Sequence, residues 1–114
     1  MKVAIIGAGN MGGAIARGLA QGTIVKASEI FVANPSNGKL DALKAEFPEI
    51  NVTNDNDEVV KEADIVILAV KPNMIESVVA PVVDLLQKKV VISVAAGFDF
   101  GRYEEILKAG THHI

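Results

Sequence analysis

Three glycines stand close together near the start of the chain, in the run Gly7-Ala8-Gly9-Asn10-Met11-Gly12. The run follows four apolar residues, Val3–Ile6, and precedes an alanine-rich segment, so we expect it to join a buried strand to a helix. In such a crossover the first glycine permits a sharp turn, the second lets a phosphate approach the main chain, and the third lets helix and strand pack closely. The free N–H groups of the helix's first turn suit a diphosphate. The spacing therefore predicts a dinucleotide-binding loop, the alternative being a purely structural turn.

The residues after the next apolar run bear on which dinucleotide would bind. An NAD site usually carries Asp or Glu about 20 residues beyond the glycine loop, where the carboxylate binds the ribose 2′-hydroxyl. This chain has Asn34-Pro35-Ser36-Asn37-Gly38-Lys39 there, with no carboxylate to repel a 2′-phosphate. Asn34, Ser36 and Asn37 can donate hydrogen bonds and Lys39 adds positive charge, which favours NADP over NAD. An ordinary turn is compatible with the same residues.

Two further stretches are placed where a sheet of parallel strands binds ligands, at the carboxyl ends of strands. Ala69, Val70, Lys71 and Pro72 end one apolar run, and Ala95, Ala96 and Gly97 follow the next. The small residues of the second stretch would let a flat ring approach. For Lys71, a side chain that simply faces solvent is the alternative to a functional role. Main-chain contacts from Val70, Lys71 and Ala95 to a cofactor are favoured over catalysis by the lysine.

The remaining polar residues predict neither an acid–base pair nor a metal site. Asp55, Asp57 and Glu58 are typical of a solvated helix start, with Asn56 or a neighbour as the cap. His112 and His113 are adjacent near the end of the sequence and lack the spacing of paired ligands on a helix.

The composition limits the class of protein. A chain of 114 residues, half of them hydrophobic, is long enough for one domain with a core. Only 4% are aromatic, so the core is expected to consist of aliphatic residues. With 11 Lys and Arg, 14 Asp and Glu and no basic run, nucleic acid is not an expected partner. The longest apolar run, 65–70, is too short to span a membrane, and no signal peptide is evident, so we expect a cytoplasmic protein.

Apolar runs typical of buried strands alternate with helical patterns along the chain. Strands are predicted at Val3–Ile6, at Ile30–Ala33, around Ile50 and Val52, at 65–70 and at 90–94. This alternation predicts an α/β fold, with a Rossmann-like, doubly wound parallel sheet between two layers of helices. Residues 1–114 would form one dinucleotide-binding domain.

The helices between these strands are predicted from residues of one face. The first has Met11, Ala14, Ile15, Gly18 and Leu19; the second has Leu40, Leu43 and Phe47 and stops at Pro48; a brief third covers 57–62. Pro72 should open a fourth helix, which Pro81 should kink or split. Phe98, Tyr103, Ile106 and Leu107 predict a last helix.

Taken together, "IGAGNMGGAIARGL", "NPS", "VKP" and "SVAAG" resemble the N-terminal coenzyme domain of pyrroline-5-carboxylate reductases over nearly the whole chain. The resemblance implies NADPH-dependent reduction of a cyclic imine, 1-pyrroline-5-carboxylate, in the last step of proline synthesis. It also implies roles by position. Ile6 to Met11 would hold the pyrophosphate, Asn34 and Ser36 would face the 2′-phosphate, and Asn56 would contact the adenosine. Ala69 to Pro72 and Ala95 to Gly97 would line the path to the nicotinamide.

The family continues with a further strand and a helical domain that dimerises and forms the substrate pocket, and these 114 residues do not include it. No catalytic residue is therefore assigned, and we expect the chain alone to bind coenzyme but to reduce little or nothing. The resemblance implies a homo-oligomer for the full-length protein. Two alternatives stay open: another NADP-dependent reductase of the F420-linked or β-hydroxyacid type, and a stand-alone nucleotide-binding module.

Overall fold

A parallel sheet forms the centre of the computed structural model, which describes residues 1–87, 89–94 and 112–113. Its strands pair in the order β3-β2-β1-β4-β5-β6. They are β1 (Val3–Ile6), β2 (Ile30–Ala33), β3 (Asn51–Thr53), β4 (Ile65–Leu68), β5 (Val90–Ser93) and the short β6 (His112–His113). This order is that of the Rossmann fold, so the predicted fold class is confirmed.

Helices connect the strands up to β5. They are α1 (Asn10–Gln21), α2 (Asn37–Glu46), α3 (Asn56–Glu62), α4 (Ile75–Val79) and α5 (Val83–Leu86), with single 3₁₀ turns at Ala27–Glu29, Pro72–Met74 and Ala80–Val82. The predicted last helix, from Phe98 to Leu107, lies outside the described residues. No helix in the described part of the chain combines the length and apolar character that crossing a bilayer requires.

The central strands of the sheet are buried on both faces, which explains why they are continuous apolar runs. Val3 and Ile5 of β1 pack on one face with residues of α1 and α2. Ala4 and Ile6 pack on the other with residues of α3, α4 and α5. All four residues of β1 are at most 3% exposed. Because successive side chains of a strand point to opposite faces, only a strand covered on both sides is apolar at every position.

The predicted inward face of α1 is confirmed only in part, since Ile15 and Leu19 are half-buried and pack against the core. Met11, Ala14 and Gly18 are exposed, whereas Gly12 and Ala16 are buried against the sheet. The reason is the short distance between helix and sheet: a Cβ built on Gly12 would overlap the carbonyl oxygen of Gly7 and lie 3.1 Å from the Cβ of Ala69. Only residues with little or no side chain fit where α1 contacts the end of the sheet. A pattern of apolar residues does not identify such small residues.

Two other element boundaries follow from local chemistry. Pro81 divides the predicted fourth helix as expected, since a 3₁₀ turn at Ala80–Val82 separates α4 from α5. The strand predicted at 65–70 ends at Leu68 instead. The Ala69 N–H still donates to Ile6 O at 2.9 Å, but Val70 lies beyond the ladder, in a bend. The last residues of that run are thus part of a loop.

Gly12→Ala should lower the free energy of unfolding by roughly 1 to 3 kcal/mol, the usual effect of overpacking a close contact. Gly18→Ala is the matched control, because its Cβ would meet no atom within 4 Å. At that exposed position in α1 we expect a gain of roughly 0.5 to 1 kcal/mol from helix propensity. Urea unfolding, monitored by circular dichroism, measures the free energy of unfolding of both variants. Equal stability of the two variants would contradict the close packing at Gly12.

Candidate dinucleotide-binding site

A cleft of about 350 Å³ lies at the carboxyl ends of the central strands, beside the glycine loop. β1 stands between β2 and β4, so the chain crosses from one half of the sheet to the other at this point, where open α/β sheets bind ligands. The cleft is lined by residues from the loops after β1, β2 and β4 and from the helices above them, which are Ile6, Gly7, Gly9, Ala33, Asn34, Pro35, Ser36, Asn56, Ala69, Val70, Lys71, Met74 and Val78.

Two of the three glycines differ in what the fold requires of them. Gly7 has φ of 104°, a left-handed conformation, and a Cβ there would lie 2.5 Å from the carbonyl oxygen of Ala69. Gly9 has an ordinary φ of −71°, and its Cβ would meet nothing within 4 Å. The fold therefore needs a glycine at position 7 but not at position 9. The open space beside Gly9 is what the close approach of a pyrophosphate requires.

The first turn of α1 supplies unpaired main-chain donors next to this space. Gly9 is the N-cap and makes no side-chain capping bond, and the first N–H that returns to it is that of Gly13, at 2.8 Å. The N–H groups of Asn10, Met11 and Gly12 hence have no carbonyl partner within the helix. The first turn carries no acidic residue. Free donors without a competing carboxylate fit a diphosphate.

Asn34 joins the glycine loop to the loop after β2. Its Oδ1 accepts a hydrogen bond from the Ala8 N–H at 3.0 Å, and its Nδ2 donates to the carbonyl and hydroxyl oxygens of Ser36, both at 3.1 Å. The side chain is thus engaged with protein groups at both ends. The sequence had indicated Asn34 as a donor to the 2′-phosphate, whereas its amide protons point to Ser36.

The N-terminus of α2 presents three of the predicted polar residues. Ser36 is the N-cap without a side-chain capping bond, Asn37 is the first helical residue, and Lys39 is exposed in the first turn. No acidic residue lies in that turn. An anion at this end of the helix would meet main-chain donors, a hydroxyl, an amide and an ammonium group, which is a suitable environment for a phosphate.

The other predicted residues are divided between the cleft and its surroundings. Asn56, Ala69, Val70 and Lys71 line it, and the half-buried Asn56 opens α3, whose N-cap Asp55 accepts from the Asp57 N–H at 2.9 Å. Ala8 and Gly12 are buried under the loop, while Met11 and Asn37 are exposed beside it.

Some predicted residues cannot be placed in the cleft. The side chains of Asn10 and Pro72 lie outside what the structure describes, and Ala95, Ala96 and Gly97 do so entirely. Sequence reasoning missed Met74 and Val78, which line the cleft. Both residues fall in the stretch predicted as the fourth helix, and their position next to a strand end was the available signal.

Other charged features lie outside this cleft. The Met1 ammonium donates to Glu29 at 2.9 Å and, as the main cause, lowers the pKa of that partly exposed carboxyl. Glu29 directly precedes β2 and so lies at the amino ends of the strands. A larger cleft of about 500 Å³ is lined by β3 and α3, with lysines and glutamates intermixed. Among the described residues, no group of three His, Asp or Glu side chains is arranged to hold a metal ion.

Comparison with known proteins agrees with this geometry. Pyrroline-5-carboxylate reductase 3 of Danio rerio is 36% identical over 115 residues, which cover 100% of this chain and 39% of the relative. The solved pyrroline-5-carboxylate reductase of Coxiella burnetii superposes with a TM-score of 0.89 at 36% identity, covering 98% of this chain and 42% of that one. The Plasmodium falciparum pyrroline carboxylate reductase, solved with NADP bound, superposes with a TM-score of 0.85 at 29% identity. The match covers 99% of this chain and 40% of that one.

The chain thus spans about two fifths of the length of the relatives that it matches. Residues 2–97 match the family described as NADP oxidoreductase, coenzyme F420-dependent. The match covers the glycine loop, the cleft and all of β1 to β5. The chain belongs to this family of NADP oxidoreductases, and its resemblance to the N-terminal part of pyrroline-5-carboxylate reductases is confirmed.

Proposed function

We propose that this chain is the coenzyme-binding part of a pyrroline-5-carboxylate reductase and that it binds NADPH. The observation that carries the proposal is the glycine loop at the centre of the sheet, where open space beside Gly9 adjoins the unpaired N–H groups of α1. The names of the relatives support the substrate, 1-pyrroline-5-carboxylate, which would be reduced to proline.

Different loops around the cleft would bind different parts of the coenzyme. The first turn of α1 would bind the pyrophosphate, the start of α2 the 2′-phosphate, and Asn56 the adenosine. Ala69, Val70, Lys71 and Pro72, with Ala95, Ala96 and Gly97, would line the path to the nicotinamide. When bound, NADPH supplies the hydride that reduces the imine carbon. The described residues of this chain would hold and orient the coenzyme, and the resemblance implies that the substrate-binding residues belong to the part of the relatives that the chain does not span.

The whole protein would carry out the reaction in the cytoplasm as a homo-oligomer, and both points stay predictions. Another NADP-dependent reductase of the F420-linked or β-hydroxyacid type would share this half of the fold. A stand-alone nucleotide-binding module would bind coenzyme with no substrate at all. Both alternatives differ from the proposal in what lies beyond the coenzyme site.

Gly9→Ala should leave stability unchanged, because its Cβ enters open space at an ordinary φ, yet weaken NADPH binding on the order of tenfold or more. The added methyl group would occupy the position at which the pyrophosphate meets the main chain. Isothermal titration and thermal unfolding measure the two effects, with Gly18→Ala as the control that adds a methyl group elsewhere on α1. Unchanged NADPH affinity in folded Gly9→Ala would contradict the proposed binding mode.

NADPH should bind roughly tenfold or more tightly than NADH, since the start of α2 offers donors and a cation to the 2′-phosphate. Lys39→Ala should weaken NADPH roughly two- to fivefold, the effect of one exposed ion pair, and leave NADH unaffected. Lys61→Ala, which removes an exposed lysine from the last turn of α3, is the control. Tighter binding of NADH than of NADPH would reverse the assignment of the α2 loop.

The 114-residue chain should not oxidise NADPH measurably when 1-pyrroline-5-carboxylate is added. A reductase must hold its substrate against the nicotinamide, and reactions depend strongly on that positioning. Absorbance at the NADPH band, recorded with and without the imine, is the measurement. Imine-dependent turnover by the isolated chain would show that its own residues complete a substrate site, against this expectation.

A further inference from the structure

A network of asparagine side chains connects the three loops that follow β1, β2 and β3. The bonds of Asn34 to Ala8 and Ser36 join the first two loops. Asn54, in the loop after β3, donates from its Nδ2 to the carbonyl oxygen of Asn34 at 3.0 Å and to Oδ1 of Asn37 at 2.9 Å. Asn54 was not among the residues that the sequence indicated, and it does not line the cleft.

Main-chain groups determine which way each amide in this network points. Only the nitrogen of Asn54 can donate to the Asn34 carbonyl, so Asn37 must turn its oxygen towards Asn54. In the same way, only the oxygen of Asn34 can accept from the Ala8 N–H, so its nitrogen must face Ser36. The orientations are therefore consequences of the backbone and not a choice between equivalent amide rotamers.

This network changes what Ser36 and Asn37 can offer to a ligand. A hydroxyl and an amide can each both donate and accept. Here the Ser36 oxygen accepts from Asn34 and the Asn37 oxygen accepts from Asn54, so the remaining capacity of both groups includes their hydrogens. Ser36 does not use its hydroxyl to cap its own helix. Both residues are exposed at the start of α2, with Lys39 in the same turn.

We infer that Asn34 and Asn54 are positioning residues that orient the Ser36 hydroxyl and the Asn37 amide as donors towards the 2′-phosphate, and that Asn54 thereby sets the preference for NADPH over NADH. This inference rests on the proposed function. An unrestrained Asn37 amide could turn its oxygen towards the phosphate, where it would repel the anion. Asn54 prevents that rotation without touching the coenzyme.

Asn54→Ala tests the inference through the ratio of two affinities. We expect NADPH and 2′,5′-ADP, which both carry the 2′-phosphate, to bind about tenfold more weakly, and NADH and 5′-AMP to change less than twofold. Asn51→Ala is the matched control. Its Nδ2 also donates to two main-chain carbonyls, those of Ser28 and Ile30 at 3.0 and 3.3 Å, but at the opposite end of β3. It should lower the thermal midpoint without altering the NADPH-to-NADH ratio.

The outcomes separate the inference from the proposed function. If the unsubstituted chain binds neither NADPH nor NADH, or prefers NADH, the proposed function is overturned. If the unsubstituted chain prefers NADPH, but Asn54→Ala weakens the binding of NADPH and NADH equally or weakens neither, only the positioning role is overturned. If Asn54→Ala does not fold, Asn37→Ala takes its place, since it removes the donor itself. Unaltered NADPH affinity in Asn37→Ala would overturn the inference.

Discussion

The site depends on the contact between the glycine loop and the end of β4. Gly7 turns in a left-handed conformation directly against the carbonyl of Ala69, and Gly12 packs on the carbonyl of Gly7. Because main chain meets main chain here, the N-terminus of α1 is held at the carboxyl ends of the central strands. The donors of that helix end then lie beside the cleft.

Within this loop, structure and binding use different glycines. The fold requires the residues at positions 7 and 12, whose absent side chains leave room for other protein atoms. Position 9 leaves room for something outside the protein. The three glycines of the motif therefore differ: two meet steric requirements of the fold, and the third would meet a requirement of the proposed ligand. Stability and affinity can consequently be changed separately in this loop.

The proposed 2′-phosphate site would rely on hydrogen-bond direction more than on charge. The start of α2 has one lysine and no arginine, so neutral groups would do much of the recognition. A neutral hydroxyl or amide distinguishes an anion from other ligands only if its hydrogen, and not its oxygen, faces the ligand. The asparagine network engages the oxygens of Ser36 and Asn37 with protein donors and would thereby provide this bias.

Much of the fold followed from patterns along the chain. β1 and β2 have the predicted bounds because strands buried on both faces are unbroken apolar runs, and Pro81 divides the helix that it interrupts. Ile15 and Leu19 pack inward from α1 as predicted, but hydrophobic periodicity did not single out the small residues Gly12 and Ala16, which are buried on the same helix. Likewise, the 65–70 run did not reveal that β4 ends at Leu68, so that Ala69 and Val70, which line the cleft, belong to a loop.

By itself, the sequence determined the crossover loop, the absence of a carboxylate after β2 and the residue types at the start of α2, since each is a matter of local order. Only the tertiary structure decided which of those residues face a ligand and which support their neighbours. Asn54 contacts Asn34 from 20 positions further along because β3 pairs with β2 in parallel, which brings the loops after both strands to the same edge. A contact made through strand pairing has no signature in residue spacing, so the role of Asn54 could be read only from the folded sheet.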